Sequence, residues 1–188
     1  MVKVAALAPI ADNLWSATTP LRFWGVETGS RMTIARLDDG GLFVHSPLPL
    51  DDGLQLEVDA MGPVEFVVAP SLFHHMAVTA WKQAYPSAVY ACCPGLERKR
   101  ADIAWDRVLA DRPEPEWASD LDQVFFAART MENEVVFFHR ATRAMICADA
   151  MKGYWDITGT FDGNTASGDA TVGWVARCSG SWNATPIE

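Results

Sequence analysis

Val64–His75, VEFVVAPSLFHH, decides the reading of this chain: an apolar run of strand length passes directly into a loop that carries two of only four histidines. A strand that is apolar on both faces, instead of alternating, belongs in a parallel sheet covered on two sides. The flanking segments agree. Leu54, Val58 and Met61 fall at the spacing of one helix face and Gly62-Pro63 ends it, while Met76–Ala84 reads as a second helix stopped by Tyr85-Pro86. Ala88–Ala91 reads as the next strand, so the order is strand, helix, strand, helix, strand, the pattern of parallel strands joined by crossovers.

Outward from this unit, Val4–Pro9, Asn13–Thr18, Arg31–Leu37 and Gly41–His45 read as short strands, with a hairpin turn at Asp38-Asp39-Gly40-Gly41. Residues 94–122 read as an irregular excursion in which Asp102 to Leu109 has room for two helical turns. Gln123–Ala127, Glu134–His139 and Arg143–Ala148 read as three further strands, the last two joined by a tight turn at Arg140-Ala141-Thr142. We expect one domain over residues 1–150, with a Gly-rich tail at 151–188 that completes or extends it.

Composition narrows the function classes. At 188 residues, 49% hydrophobic and with eight tryptophans, the chain can build a sizeable core without disulfides. A formal net charge of -9 argues against nucleic-acid and anionic-membrane partners, which need clustered cations. The one basic cluster, Arg98-Lys99-Arg100, is short and reads as a solvated helix face or turn. The apolar N-terminal run is broken by Pro9 and stopped by Asp12, unlike a secretory signal, and no stretch has the length of a membrane span. Cys92, Cys93, Cys147 and Cys178 lack zinc-type spacing and read as buried thiols of a cytoplasmic protein.

In an open parallel sheet, ligands collect beyond the carboxyl ends of the strands. His45, the His74-His75 pair and Asp149 all follow strands in this reading, and imidazole with carboxylate suits either a metal or acid–base chemistry. Each has a plainer use: a strand-end histidine commonly hydrogen-bonds within the core, and an Asp after a strand commonly caps a turn. His139 sits beside a tight turn, and Cys93, which precedes Pro94, reads as structural. No GxSxG, Walker or GxGxxG motif occurs.

RMTIARLDDGGLFVHSPLPL, VAPSLFHH, WKQAYPSA, CPGLERK and EVVFFHRATRAMICAD are together similar to segments of an uncharacterised family related to the metallo-β-lactamase-like hydrolases, over residues 5–150. The resemblance implies a four-layer αββα sandwich of two mixed sheets flanked by helices, altered at its C-terminal edge. It also implies a metal groove at one edge, built from a His-x-His-x-Asp-His loop, a further histidine, a later aspartate and a final histidine. Placing the last histidine of that loop on His75 puts the other ligand positions on Pro70, Leu72 and His74. Proline and leucine cannot bind a metal, Asp149 matches the later aspartate, and no histidine follows His139. Two functions remain open: a hydrolase of unknown small-molecule substrate, holding one zinc, iron or manganese ion on His74, His75, Asp149 and His45, or a metal-free binding or structural protein. A non-metal variant uses His75 and Asp149 as an acid–base pair.

Overall fold

The computed structural model describes residues 4, 6–23, 25–27, 29–127, 133–149 and 174–177. In chain order these form β1 (Ala8–Ala11), β2 (Leu14–Thr19), β3 (Arg22–Phe23), β4 (Val26–Glu27), β5 (Ser30–Arg36), β6 (Leu42–His45) and α1 (Asp52–Met61). Then follow β7 (Val64–Ala69), α2 (Val78–Ala84), β8 (Val89–Cys92), α3 (Leu96–Lys99), β9 (Arg107–Val108), β10 (Leu121–Ala127), β11 (Asn133–His139), β12 (Ala144–Cys147) and β13 (Trp174–Arg177). The first sheet has the order β1-β2-β5-β6-β7-β8-β9, antiparallel from β1 to β6 and parallel from β6 to β9. The second, β10-β11-β12-β13, is antiparallel throughout, and β3 and β4 pair separately.

The parallel centre forms where the continuous apolar run predicts it. β7 lies between β6 and β8, and Phe66, Val67, Val68 and Ala69 are all buried. The crossover helix α1 starts on Asp51, whose carboxylate accepts from the Leu54 backbone N–H at 2.8 Å, and turns Leu54 and Val58 into the core. Gly62 ends it at φ 151°, where a Cβ would come within 2.8 Å of the Gly40 carbonyl oxygen, so the stop depends on the missing side chain. In α2, Trp81 is fully buried and its indole N–H donates to the Leu48 carbonyl at 2.8 Å.

The core between the sheets is aromatic. Phe43 of β6 meets Phe137 of β11 edge to face at 5.1 Å, and Trp117 packs against Phe43 and Phe66 at 5.4 and 4.9 Å. Alternation along β6 places His45 on the same face as Phe43, and its ring meets Phe137 at 5.7 Å. His45 therefore points between the sheets.

Two sequence expectations differ from the structure. The first strand runs Ala8–Ala11 instead of Val4–Pro9. Asp102–Leu109 is no helix: the Tyr90 backbone N–H is taken by the Asp106 carboxylate and the Leu109 N–H by the Cys92 carbonyl, so this segment lays β9 alongside β8. The helix of the excursion is the single turn α3, which contains two members of the basic cluster. The Asp38–Gly41 hairpin holds, closed by Gly40 N–H to the Leu37 carbonyl and Leu37 N–H to the Gly41 carbonyl, each 2.9 Å. Of the expected tail, only Trp174–Arg177 lies within the described residues, and it pairs with β12. Cys178 lies outside them.

Candidate functional site

Three chain segments meet where β6, β7 and β12 end. From β6 come His45 and Ser46, from the loop after β7 come Ser71 and His74, and from the end of β12 comes Asp149. The loop is held to the second sheet by Val135 N–H donating to the Pro70 carbonyl at 2.9 Å and by a bridge between Ser71 and Glu134. Glu134 is a buried carboxylate that accepts from the backbone N–H groups of both Ala148 and Asp149. It clamps the turn that presents Asp149.

The side chains form a chain of polar contacts. Ser46 Oγ contacts His74 Nδ1, His74 Nε2 faces Asp149 Oδ1 at 3.4 Å, and Asp149 Oδ2 accepts from the Ser71 hydroxyl at 2.7 Å. Ser71 Oγ also accepts from the Phe73 N–H at 3.3 Å, which bends the loop so that His74 turns inward. With a carboxylate oxygen before Nε2, the imidazole proton belongs on Nε2, and Nδ1 accepts from the Ser46 hydroxyl. At 3.4 Å the His74 to Asp149 contact is electrostatic rather than a close hydrogen bond. The chain is largely shielded from water, with the His74 and Asp149 side chains each 7% exposed.

His45 completes the cluster without bonding into it. Its ring is fully buried, and burial first, then the charge of His74, pushes its pKa down to about 3, against a smaller upward pull from Asp149. Its Nε2 has no hydrogen-bond partner among the described residues. A buried polar atom left this way costs stability and calls for an explanation.

His75 faces elsewhere. The Arg100 guanidinium donates to His75 Nδ1 at 2.9 Å, and Lys99 holds the loop by donating to the Leu72 carbonyl at 2.5 Å. Burial, then Lys99 and Arg100, lowers the His75 pKa to about 4, so this ring is neutral, with its Nδ1 lone pair already used. Two cations beside it oppose a metal cation. Part of the basic cluster is therefore a fastening for the loop as well as a solvated face.

His139 lies at the opposite end of β11 from Glu134, with Nδ1 bonded to the Thr142 hydroxyl at 2.7 Å. Cys92 and Cys93 are buried and burial pushes both thiols up to about 12, which removes Cys93 from consideration as a nucleophile.

The structure thus brings His74 and Asp149 together, sets His45 near them and turns His75 away. Sequence reasoning missed Ser46, Ser71 and Glu134. The available signals were Ser46 between His45 and Pro47 at a strand end, and Glu134 as the one carboxylate in the apolar run EVVFFH.

The model for the domain of unknown function DUF4336 matches residues 11–154. The chain belongs to the DUF4336 family. No curated protein matches it. Among solved structures it is similar to a metallo-beta-lactamase from Pontibacter korlensis, at 13% identity and a TM-score of 0.58, covering 77% of this chain and 70% of that one. It is also similar to a metallo beta lactamase from Hirschia baltica, at 10% identity and TM-score 0.56, over 77% of this chain and 69% of the other. FIM-1 from Pseudomonas aeruginosa, solved in a mono-zinc form, matches at 12% identity and TM-score 0.55, over 77% and 67% of the two chains. The DUF4336 chain therefore has the mixed α/β, two-sheet fold of the metallo-β-lactamases.

The residues of this family member do not fit a paired-metal centre. Pro70 and Leu72 offer no donor, and His74 has both ring nitrogens against protein groups. Among the described residues no group of three or more His, Cys, Asp or Glu could hold a metal ion. No helix among them is long and apolar enough to cross a membrane.

Proposed function

We propose that this DUF4336 protein uses the metallo-β-lactamase scaffold without its metals, and that His74, steadied by Asp149, is an acid–base group acting on a small molecule with a hydrolysable ester, thioester or amide bond. The observation that carries this reading is the pair of contacts on His74: Ser46 on Nδ1 and Asp149 on Nε2. An imidazole between a hydroxyl and a carboxylate can take a proton from one side while the other side stabilises the charge it gains. The carboxylate is itself held, by Ser71 and by the Glu134 clamp on its backbone, so the ring has a fixed partner. The site also lies at the carboxyl ends of parallel strands, where this class of sheet collects ligands.

One observation favours a second reading, a hydrolase with a single zinc, iron or manganese ion. Two donors on one such ion stand about 3–3.5 Å apart, and His74 Nε2 and Asp149 Oδ1 are 3.4 Å apart with the unpartnered His45 Nε2 in their neighbourhood. That reading requires His45 to move in or His75 to leave Arg100.

Elemental analysis decides between them. After growth with zinc, iron and manganese supplied, we expect far less than one equivalent of metal. We also expect hydrolysis of an activated ester that survives chelation and is lost in His74→Ala. One equivalent of metal that disappears in both His74→Ala and Asp149→Ala would overturn the metal-free reading. Binding without turnover of any ester, thioester or amide would reduce the protein to a ligand-binding scaffold.

A further inference from the structure

Ser46 has a backbone conformation that its local structure does not require. Three described residues other than glycine have positive φ: Asn13 at 58°, Arg143 at 56° and Ser46 at 58°. Asn13 and Arg143 sit in the turns that join β1 to β2 and β11 to β12. Ser46 sits in no hairpin. It follows β6 directly, precedes Pro47, and donates its backbone N–H to the Val68 carbonyl at 2.9 Å, as though the strand continued. A left-handed conformation is strained for a side-chain-bearing residue, and such strain persists where the surroundings require it. Here its effect is to aim the hydroxyl at His74 Nδ1.

A second, independent observation is the idle nitrogen of His45. Its ring is buried and neutral, and the charges that reach it are those of His74 and Asp149. A neutral imidazole with its proton on Nε2 would be a donor without an acceptor among the described residues, on the residue that precedes Ser46. An oxygen gaining negative charge is the partner such a donor lacks.

We propose that Ser46 is a covalent nucleophile that accepts the acyl group of a small carboxylic ester or thioester, with His74 as its base, Asp149 as the positioning residue of His74, and His45 Nε2 as a donor to the oxyanion. Ser46 Oγ forms the bond to the acyl carbon while its proton passes to His74 Nδ1. The carbonyl electron pair moves onto oxygen beside His45. Collapse breaks the bond from the acyl carbon to the alcohol or thiol, which takes the proton back from His74. Water then attacks the acyl-Ser46 ester with His74 again as base, releasing the carboxylic acid and restoring the hydroxyl. No oxidant or metal enters the balance. Ser46 is itself 2% exposed and in contact with His74 of the loop after β7, so the acyl group must be small enough to reach the hydroxyl without displacing that base.

This inference rests on the metal-free reading of His74, and the test separates the two. Chelated full-length protein is treated with a fluorophosphonate, a reagent that phosphonylates activated serines, and the modified peptide is located by mass spectrometry. The expected result is a single adduct on Ser46, formed about 100-fold more slowly in His74→Asn and absent in Ser46→Gly, a variant that accepts the positive φ and so keeps the backbone. An adduct on Ser71, or none, overturns the nucleophile. If ester hydrolysis dependent on His74 persists in Ser46→Gly, the nucleophile fails while the acid–base reading stands. If wild type neither labels nor turns over an activated ester, both fail.

Discussion

The sandwich has a buried polar cluster at each end, and the two are wired differently. At the far end, Asp120 Oδ1 accepts from the Asp38 backbone N–H at 3.0 Å, its Oδ2 from Ser119 at 2.9 Å, and its carbonyl from the Arg140 N–H at 2.9 Å. His139 closes onto Thr142 three residues away. These bonds tie turns to strands: two of the four involve backbone, and the two between side chains span only one and three residues. At the near end the bonds run from side chain to side chain over long separations: Ser46 to His74, 28 residues apart, and Ser71 to Asp149, 78 apart. That end also contains a nitrogen without a partner among the described residues and a strained serine. Turn fastening explains the first arrangement completely. It leaves the second without a purpose, which is the argument for chemistry there.

The comparison can be broken most forcefully at Glu134. Replacing it by Ala leaves the N–H groups of Ala148 and Asp149 without their acceptor, and two buried orphans cost about 2–4 kcal/mol. Denaturant unfolding should show that loss, and a change below about 1 kcal/mol would mean the clamp is not what presents Asp149.

Acid should act on both ends through their histidines. Burial holds His139 below the ordinary histidine value of 6.5, and His45 down to about 3. Each therefore holds a proton less readily folded than unfolded, so below about pH 6.5 unfolding takes protons up. Their stability contribution is complete above pH 6.5 and is lost as pH falls, for His45 across the window from 6.5 to about 3. The slope is up to about 1.4 kcal/mol per pH unit per histidine. Substituting His139→Gln should flatten the profile by up to one such slope and leave ester turnover unchanged. A fall in turnover would show that the two clusters are not separate.

The smallest effect sharpens the comparison best. Ser46→Gly removes a hydrogen bond worth about 1 kcal/mol but relieves a backbone strain of about 1–2 kcal/mol. Unfolding should be close to wild type while serine labelling disappears. A loss of more than about 2 kcal/mol would make Ser46 a structural fastening like Asp120.

Legibility in the sequence differs between these parts. The parallel centre was readable because burial on both faces leaves a run such as FVVA with no polar alternation, and Asp-Asp-Gly-Gly marks the hairpin before it. Residues 102–109 misled because a two-residue strand has no period of its own. Arg107–Val108 is a strand because β8 offers it a ladder. In the site, His74 and Asp149 were visible as strand-end residues, but the two adjacent histidines could not be told apart. Their difference comes from Arg100, 25 residues further on, which takes His75 and leaves His74 to face Asp149.

By itself, then, the chain's pattern of apolar runs, glycines and strand-end histidines pointed to a parallel α/β centre, while the two-sheet sandwich and the loss of metal ligands at Pro70 and Leu72 were what the family resemblance implied. Periodicity and side-chain chemistry are local properties, and a reader of the sequence has them in full. Only the tertiary structure decided that Ser46, His74 and Asp149 share one chain of contacts. Those contacts join residues brought together by three separate strand ends, and Glu134 was needed from the neighbouring strand β11 to present the last of them.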